Sequence, residues 1–397
     1  MTRPTINLTA PTPDTLRALY DAVDVALLDQ VVPFWQRHAP DPVHGGSYNC
    51  LDHDGTVFDT TKHMWLQGRL VWMFAKLYQT VDAQADWLAQ ARSAITFMQA
   101  HAVRPDHRVY FALTAEGSPV SLQRKIFTEC FYALALSEYG KATGEQAYER
   151  AATTQLTQIL DWAYDWTKVG RPKFNDKPEN RMLAVPMILL NLIEEIAGDD
   201  PAYVSVAEDC IRSMSLHVDA SRQLVREHVG PNGEVLDGAH GRVLNPGHVI
   251  EAGWFLQHWA QRLGRKDLSR MALDITRWSH DLGWDDVHGG LFYFLDADGY
   301  SPTALEWDMK LWWPHCEALY AHLLHWTITR ADEDWRRFAD TWTYTMAHFP
   351  DTQHGEWFGY LNRRGEVTHR FKGGPYKGFF HVPRSLWLMR TLLHQTI

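Results

Sequence analysis

Residues 245–256 hold two side chains that could do acid–base chemistry, His248 and Glu251. Asn245 suits the N-cap of a helix and Pro246 its first helical position, which places His248 in the first turn. Glu251 follows three residues later on the same face, where it could orient the imidazole. The positive helix end disfavours the imidazolium and a carboxylate favours it, so His248 could carry protons near neutral pH. A histidine in a first turn is more often structural, so this pair alone identifies no site.

Similar side chains lie near the starts of other apolar segments. Proposed catalytic residues are Arg69, His248, Glu251, Glu317 and His381, and proposed substrate-binding residues are Trp65, Met187, Trp313 and Lys377. If the fold gathers the catalytic set around one cavity, it suits proton abstraction next to a carbonyl. One histidine would remove the proton, the arginine would stabilise the oxyanion, and the other histidine would return a proton to the opposite face. The alternatives are an Arg69–Glu317 ion pair and packing roles for His381 and Trp313.

The elements that must position these side chains recur along the chain. Similar segments begin at His44, His288 and His354, and each is predicted to form a short hairpin, as at Asp54-Gly55. Fainter copies end at residues 116–117 and 232–233. The spacing indicates a period of roughly 60 to 66 residues, and therefore about six units.

Each unit combines two kinds of predicted helix. Strongly apolar segments begin near Lys62, Lys125, Arg181, Asn245, Lys310 and Lys377. Amphipathic segments such as residues 87–99, 147–162 and 335–348 lie between them. The alternation predicts an all-α (α/α)6 barrel with short β-hairpins at its mouth, with residues 1–397 as a single catalytic domain. The polar loop at residues 170–178 is predicted to lie over the mouth.

Composition excludes several classes of function. The formal net charge is −10 and no basic stripe occurs, which argues against a nucleic-acid partner. The four cysteines fit no disulfide scaffold or zinc spacing, and no apolar run is long enough to cross a membrane. The N-terminus lacks the apolar segment of a signal peptide, so we expect a cytoplasmic location. HExxH, Walker A and GxSxG motifs do not occur, and no metal site is predicted.

Longer motifs resemble the N-acylglucosamine 2-epimerase family over nearly the whole chain. They are Trp65-Leu66-Gln67-Gly68-Arg69, Asn245-Pro246-Gly247-His248, Phe380-His381-Val382-Pro383-Arg384 and residues 305–315, 355–362 and 372–375. The resemblance implies interconversion of N-acetylglucosamine and N-acetylmannosamine through the open-chain aldehyde and a C2 enediolate. His248 and His381 match the family's paired acid–base histidines, and Arg69 and Glu317 its other essential polar groups. Glu251 is expected to orient His248.

The resemblance also implies properties that no motif displays. Members often bind ATP as an activator rather than a reactant, need no cofactor for the chemistry, and form homodimers. The segment around Met187 is similar to N-acylglucosamine epimerases, whereas the cellobiose epimerase branch typically has an additional histidine there. The alternatives are a 2-epimerase or aldose–ketose isomerase acting on mannose, glucose or cellobiose, a glycoside hydrolase using Glu251 and Glu317, and a binding protein.

Overall fold

Long helices form most of the protein. The computed structural model describes residues 6–172, 180–198 and 200–397. In chain order the helices are α1 (Pro13–Val25), α2 (Val32–His38), α3 (Met64–Thr80), α4 (Ala85–Phe97), α5 (Phe127–Thr143), α6 (Gln146–Trp162), α7 (Ala184–Ala197), α8 (Pro201–Ser215), α9 (Gly238–Arg242), α10 (Pro246–Leu263), α11 (Lys266–Gly283), α12 (Trp312–Thr329), α13 (Asp332–His348) and α14 (His381–Thr396). Six of them form an inner ring: α3, α5, α7, α10, α12 and α14.

The inner ring is closed. Each inner helix contacts the next one in chain order, and α14 contacts α3. Helices α4, α6, α8, α11, α13 and α1 pack outside α3, α5, α7, α10, α12 and α14, respectively. An inner helix is therefore covered on all sides, and α12 is buried at every position from Trp312 to Trp326. The outer α11 buries mainly one face. The predicted (α/α)6 barrel is confirmed.

Short strands surround the starts of the inner helices. They are β1 (Cys50–Leu51), β2 (Val57–Asp59), β3 (Lys62–His63), β4 (Ala112–Leu113), β5 (Pro119–Ser121), β6 (Arg181–Met182), β7 (Val218–Asp219), β8 (Leu224–Val225), β9 (His228–Val229), β10 (Val243–Leu244), β11 (Leu295–Asp296), β12 (Lys310–Leu311), β13 (Tyr360–Leu361) and β14 (Val367–His369). The predicted hairpins form as β1–β2, β4–β5 and β13–β14, all antiparallel.

Two of the predicted hairpins are wrong. In the copy that begins at His288, β11 pairs with β10 instead of with a return strand of its own. In the copy that ends at residues 232–233, β9 pairs with β6. Strands β3, β6, β10 and β12 lead into inner helices, and each pairs with a strand of a later repeat. This pairing between repeats satisfies the backbone even where the local hairpin is missing.

Buried lysines hold the loops of the three repeat copies that are most similar in sequence, which begin at His44, His288 and His354. In each copy a lysine ammonium donates to an aspartate and to a glycine carbonyl of the histidine–glycine loop. The pairs are Lys62–Asp41, Lys310–Asp285 and Lys372–Asp351, at 2.7, 3.2 and 2.8 Å. A charge pair enclosed in this way fixes the loops that frame the mouth.

Two further sequence expectations concern the surface. The predicted mouth loop lies mostly outside the described residues, which omit 173–179. Among the helices that the structure describes, none combines the length and apolar character that crossing a membrane requires.

Candidate active site

His248 lies in the first turn of α10, as its sequence context predicts. The side chain of Asn245 accepts a hydrogen bond from the His248 backbone nitrogen at 3.2 Å, and Pro246 is the first helical residue. The imidazole Nδ1 lies 3.0 Å from Glu227 Oε2. The expectation that Glu251 orients His248 is therefore wrong. Glu251, one turn deeper, instead accepts a hydrogen bond from Arg384 at 2.6 Å.

The Glu227 carboxylate raises the pKa of His248. Burial of the imidazole alone would lower the pKa, but the charge of Glu227 and its hydrogen bond outweigh burial, and the pKa lies above the usual 6.5. The same charge favours a proton on Nδ1, which leaves Nε2 facing away from the carboxylate. His248 Nε2 makes no hydrogen bond to any residue in the described parts of the chain. The raised pKa shifts the equilibrium of His248 toward the imidazolium.

His381 is the first residue of α14 and has the opposite tendency. Its Nδ1 lies 2.7 Å from Glu317 Oε1. Burial, together with the nearby cations Arg384 and Arg69, lowers the pKa of His381 well below its usual value. The imidazole is therefore neutral at physiological pH, and within the described residues its Nε2 has no hydrogen-bond partner. A neutral imidazole with a free ring nitrogen can accept a proton.

Arg384 joins the two buried carboxylates of the site. Its Nη2 lies 2.6 Å from Glu251 Oε1 and 2.7 Å from Glu317 Oε1. The sequence alternative of an Arg69–Glu317 pair is not formed, because Arg384 takes that position. Glu251, Glu317 and His381 also place potential metal-ligand atoms within 4.8 Å of one another. The positive charge between these carboxylates is supplied by the Arg384 guanidinium.

Arg69 carries its charge without a carboxylate partner among the described residues. Its guanidinium carbon lies 4.0 Å from the ring centroid of Phe131, 4.7 Å from that of Trp65 and 5.0 Å from that of Phe380. No hydrogen bond links this guanidinium to another described residue, and its Nε is buried. Burial and the nearby Arg384 lower the pKa of Arg69 to about 9, so the group remains a cation at neutral pH. Its donors are available to a ligand.

The proposed substrate-binding residues have different environments. The Trp313 ring centroid lies 5.2 Å from that of His248 and 5.9 Å from that of His381, so one indole borders both acid–base groups. Trp65 packs against Arg69, and its Nε1 donates to the Pro375 carbonyl at 2.9 Å. Met187 lies in the first turn of α7, within the hydrophobic core.

Lys377 is wrongly predicted as a substrate ligand. Its ammonium is fully buried, lies 2.8 Å from Glu356 Oε1 and donates to the Lys372 carbonyl. Trp35 Nε1 donates to the other oxygen of the same carboxylate. The hydrogen bonds of the Lys377 ammonium hold the segment that leads into α14, and the Glu356 carboxylate already balances its charge.

Two residues of the site were not among the sequence candidates. Arg384 has a local signal, because it follows His381 by three residues and so shares its helix face. Glu227 has none. It lies between β8 and β9, 21 residues before His248, and its spacing does not distinguish it from other loop carboxylates. Only the folded loop brings it to the imidazole.

The arrangement suits proton transfer to and from a carbon acid. Two histidines on different inner helices each bind a carboxylate through Nδ1 and leave Nε2 free. One favours the protonated form and the other the neutral form. The buried Arg69 guanidinium, which no other described residue hydrogen-bonds, can stabilise negative charge that develops on a carbonyl oxygen.

Comparison with known proteins gives full-length relatives. The N-acylglucosamine 2-epimerase family model matches residues 46–385. The N-acylglucosamine 2-epimerase of Rattus norvegicus is 42% identical over 376 residues, covering 92% of this chain and 90% of the rat protein. The Homo sapiens protein of that name is 42% identical over 390 residues, covering 96% and 91%. The cellobiose 2-epimerase of Ruminococcus albus is 23% identical over 388 residues, covering 90% and 95%.

Solved structures share the barrel at lower identity. The cellobiose 2-epimerase of Spirochaeta thermophila has a TM-score of 0.83 and 20% identity, covering 98% of this chain and 99% of that one. A D-mannose isomerase has a TM-score of 0.78 and 17% identity, covering 97% and 98%. These similarities support the fold. The family match over most of the chain and the 42% identity to full-length relatives show that this chain belongs to the N-acylglucosamine 2-epimerase family.

Proposed function

We propose that this protein interconverts N-acylglucosamine and N-acylmannosamine by inverting C2 of the open-chain sugar. The observation that carries the proposal is the pair formed by His248 and His381. The two imidazoles come from different inner helices, border the same Trp313 ring and favour opposite protonation states. The high identity to N-acylglucosamine 2-epimerases supports the N-acyl sugar as substrate.

In the proposed mechanism, each histidine serves one face of C2. Neutral His381 removes the C2 proton, the electron pair of the C–H bond forms a C1=C2 double bond, and the carbonyl π electrons move to oxygen. Because C2 carries the N-acyl group rather than a hydroxyl, the intermediate is an enolate and not an enediolate. Arg69 stabilises the negative oxygen. Protonated His248 then donates its proton to the opposite face, which inverts the carbon. The reverse reaction starts with the proton on His381 and the neutral form of His248.

The site geometry argues against two alternatives. A glycoside hydrolase needs one carboxyl group on each side of the scissile bond. Glu251 and Glu317 instead share one arginine nitrogen, at 2.6 and 2.7 Å. An aldose–ketose isomerase moves the proton between neighbouring carbons, which one base can do, whereas two bases on different helices suit inversion of a single carbon.

The substrate can be tested by incubating the protein with N-acetylmannosamine or mannose in deuterated water and following C2 by proton NMR. We expect inversion of the N-acyl sugar with deuterium incorporated at C2. Exchange with mannose and none with the N-acyl sugar would contradict the proposed substrate.

The two histidines can be separated with the variants His248→Asn and His381→Asn. Each variant should lose epimerisation by about 10²- to 10⁴-fold, the usual contribution of a general acid–base group. Each should still exchange the C2 proton of one epimer, and the exchanging epimer should differ between the two variants. His394→Asn changes an exposed histidine and is the control. Retained exchange of the same epimer in both variants would exclude the two-base mechanism.

We also propose, from the family resemblance, activation by ATP and a homodimeric state. The initial epimerisation rate with and without ATP tests the first. Light scattering during size-exclusion chromatography tests the second, and a monomer at working concentration would overturn it.

A further inference from the structure

A cavity lies inside the inner ring, deeper than the candidate active site. Its volume is about 190 Å³. Its walls come mainly from later turns of the inner helices than those that carry Arg69, His248 and Glu317. Arg384 lines this cavity and also binds the carboxylates of the candidate active site. The cavity therefore lies on the far side of Arg384 from the mouth.

A buried polar side chain without a hydrogen-bond partner among the described residues lines this cavity. Asn191 of α7 is 6% exposed and lines the wall, yet its side-chain amide makes no hydrogen bond to any described residue. Glu194, one turn later, also lines the cavity and binds His258 Nδ1 at 3.0 Å through Oε1. Buried polar side chains are almost always hydrogen-bonded. The Asn191 amide therefore points to a ligand that supplies hydrogen bonds.

The charges around the cavity narrow the chemistry of that ligand. The Glu194 carboxylate disfavours anions such as phosphate. Cations of the protein already lie over the indoles of the wall, because Lys76 Nζ is 5.7 Å from the Trp387 centroid and the Arg384 guanidinium is 5.2 Å from that of Trp254. A cationic ligand would be repelled by the positive charges of Lys76 and Arg384. A neutral compound avoids both conflicts.

The size of the cavity and the composition of its wall further define the ligand. Hydroxyl groups can exchange hydrogen bonds with the Asn191 amide, while C–H faces pack against Trp254 and Trp387. The volume is below the roughly 300–1,000 Å³ of sites for drug-sized ligands. We propose that this cavity is a second, non-catalytic binding site for a neutral polyhydroxy compound the size of a monosaccharide.

An occupant would touch side chains that hold the candidate active site. Trp254 lines the cavity, and its Nε1 donates to Glu317 Oε2 at 2.9 Å. Glu317 in turn binds His381 through its other oxygen. Arg384 contacts the same carboxylate. Binding in the cavity would therefore act on the group that orients one of the two histidines.

The proposal can be tested with myo-inositol, a cyclic polyol that has no carbonyl group and therefore cannot be epimerised by proton abstraction next to a carbonyl. In protein labelled with ¹⁵N-tryptophan, the indole signals of Trp254 and Trp387 are assigned with Trp→Phe variants and followed during titration. We expect both signals to shift saturably. Trehalose, a disaccharide too large for the cavity, is the control probe. Because the readout is binding, it does not depend on the proposed epimerase activity.

Two variants locate the site. Asn191→Leu removes the free amide, and Leu388→Trp fills the cavity from α14. We expect each to weaken inositol binding at least tenfold, while the exposed loop variant Asn232→Leu binds like the native protein. The second cavity variant keeps the test decisive if the first does not fold. Absence of saturable shifts in the native protein, or shifts that neither cavity variant weakens, would overturn the proposal.

Discussion

Glu227 gives His248 a protonation state that its position in the helix would not give. The positive end of α10 and burial both disfavour the imidazolium. The carboxylate at 3.0 Å reverses this preference and raises the pKa above its usual value. His381 also binds a carboxylate, but it faces two arginines, and its pKa is lowered. Burial is the largest effect on both histidines and lowers the pKa. At His248 the charge and hydrogen bond of Glu227 outweigh burial, whereas at His381 Arg384 and Arg69 add to it.

This difference predicts the pH profile of a Glu227→Gln variant. Activity needs one protonated and one neutral histidine, so kcat/KM should be bell-shaped, with its basic limb set by His248. Glutamine keeps a hydrogen-bond partner but removes the charge, which lowers the pKa of His248 and moves the basic limb to lower pH. We expect kcat/KM on the basic side to fall by about tenfold for each unit by which the pKa of His248 is lowered.

Glu234→Gln is the matched control for that profile, because Glu234 is an exposed glutamate a few residues away. Its profile should coincide with that of the native protein. The acid limb, set by His381, should stay in place in both variants. A uniform loss of activity in Glu227→Gln, with the basic limb unmoved, would mean that Glu227 supports the loop rather than the proton on His248.

At the scale of single elements, the start of α10 shows how far local sequence determines structure. The Asn245 cap and Pro246 follow from backbone chemistry that acts within one turn, and both were predictable. The partner of Glu251 was not. Whether a carboxylate turns toward His248 or toward Arg384, 133 residues away in sequence, depends on how two inner helices are placed in the ring. Which side chain binds Glu251 therefore depends on the assembled barrel.

Buried lysines stabilise the loops that precede the inner helices. The Lys62–Asp41 pair is fully buried, so Lys62→Met would leave a buried carboxylate without a counter-charge. We expect a loss of about 3–5 kcal/mol in the free energy of unfolding. Lys310→Met is the matched comparison, because Arg363 Nε also lies 3.0 Å from Asp285 Oδ2 and can still balance that charge.

For Lys310→Met we therefore expect a smaller loss, of about 1–2 kcal/mol. Urea unfolding of both variants at pH 7 measures the difference. Equal losses would show that the lysines contribute through their contacts with loop carbonyls, which the two sites share, rather than through the balance of charge.

At the scale of the whole molecule, the repeat explains why distant residues meet. Six inner helices start at one mouth, so residues near their first turns converge although they are spread from Arg69 to Arg384. The period in the sequence was sufficient to predict this convergence. The period does not predict where the Lys377 side chain points, because the segment before α14 turns it toward Glu356 and away from the site. Irregular segments between regular elements follow no repeat.

Burial of histidines between the rings links the stability of the barrel to pH. His325 on α12 is fully buried, and neither ring nitrogen has a hydrogen-bond partner among the described residues. Burial lowers the pKa of His325 to about 4. The unfolded chain gains a proton on this residue below about pH 6.5 that the folded protein does not bind. Stability is therefore lost as the pH falls from about 6.5 toward 4, by about 1.4 kcal/mol per pH unit for this residue.

The variant His325→Leu removes the pH dependence of stability that His325 causes. At pH 7.5 its stability should equal or slightly exceed that of the native protein, because no hydrogen bond is lost and an apolar group replaces a desolvated ring. At pH 5 it should be more stable by about 2 kcal/mol. Urea unfolding at both pH values measures the gain, with the exposed His394→Leu as the control that shows none. A gain of equal size at both pH values would mean that better packing, and not the avoided proton, stabilises the variant.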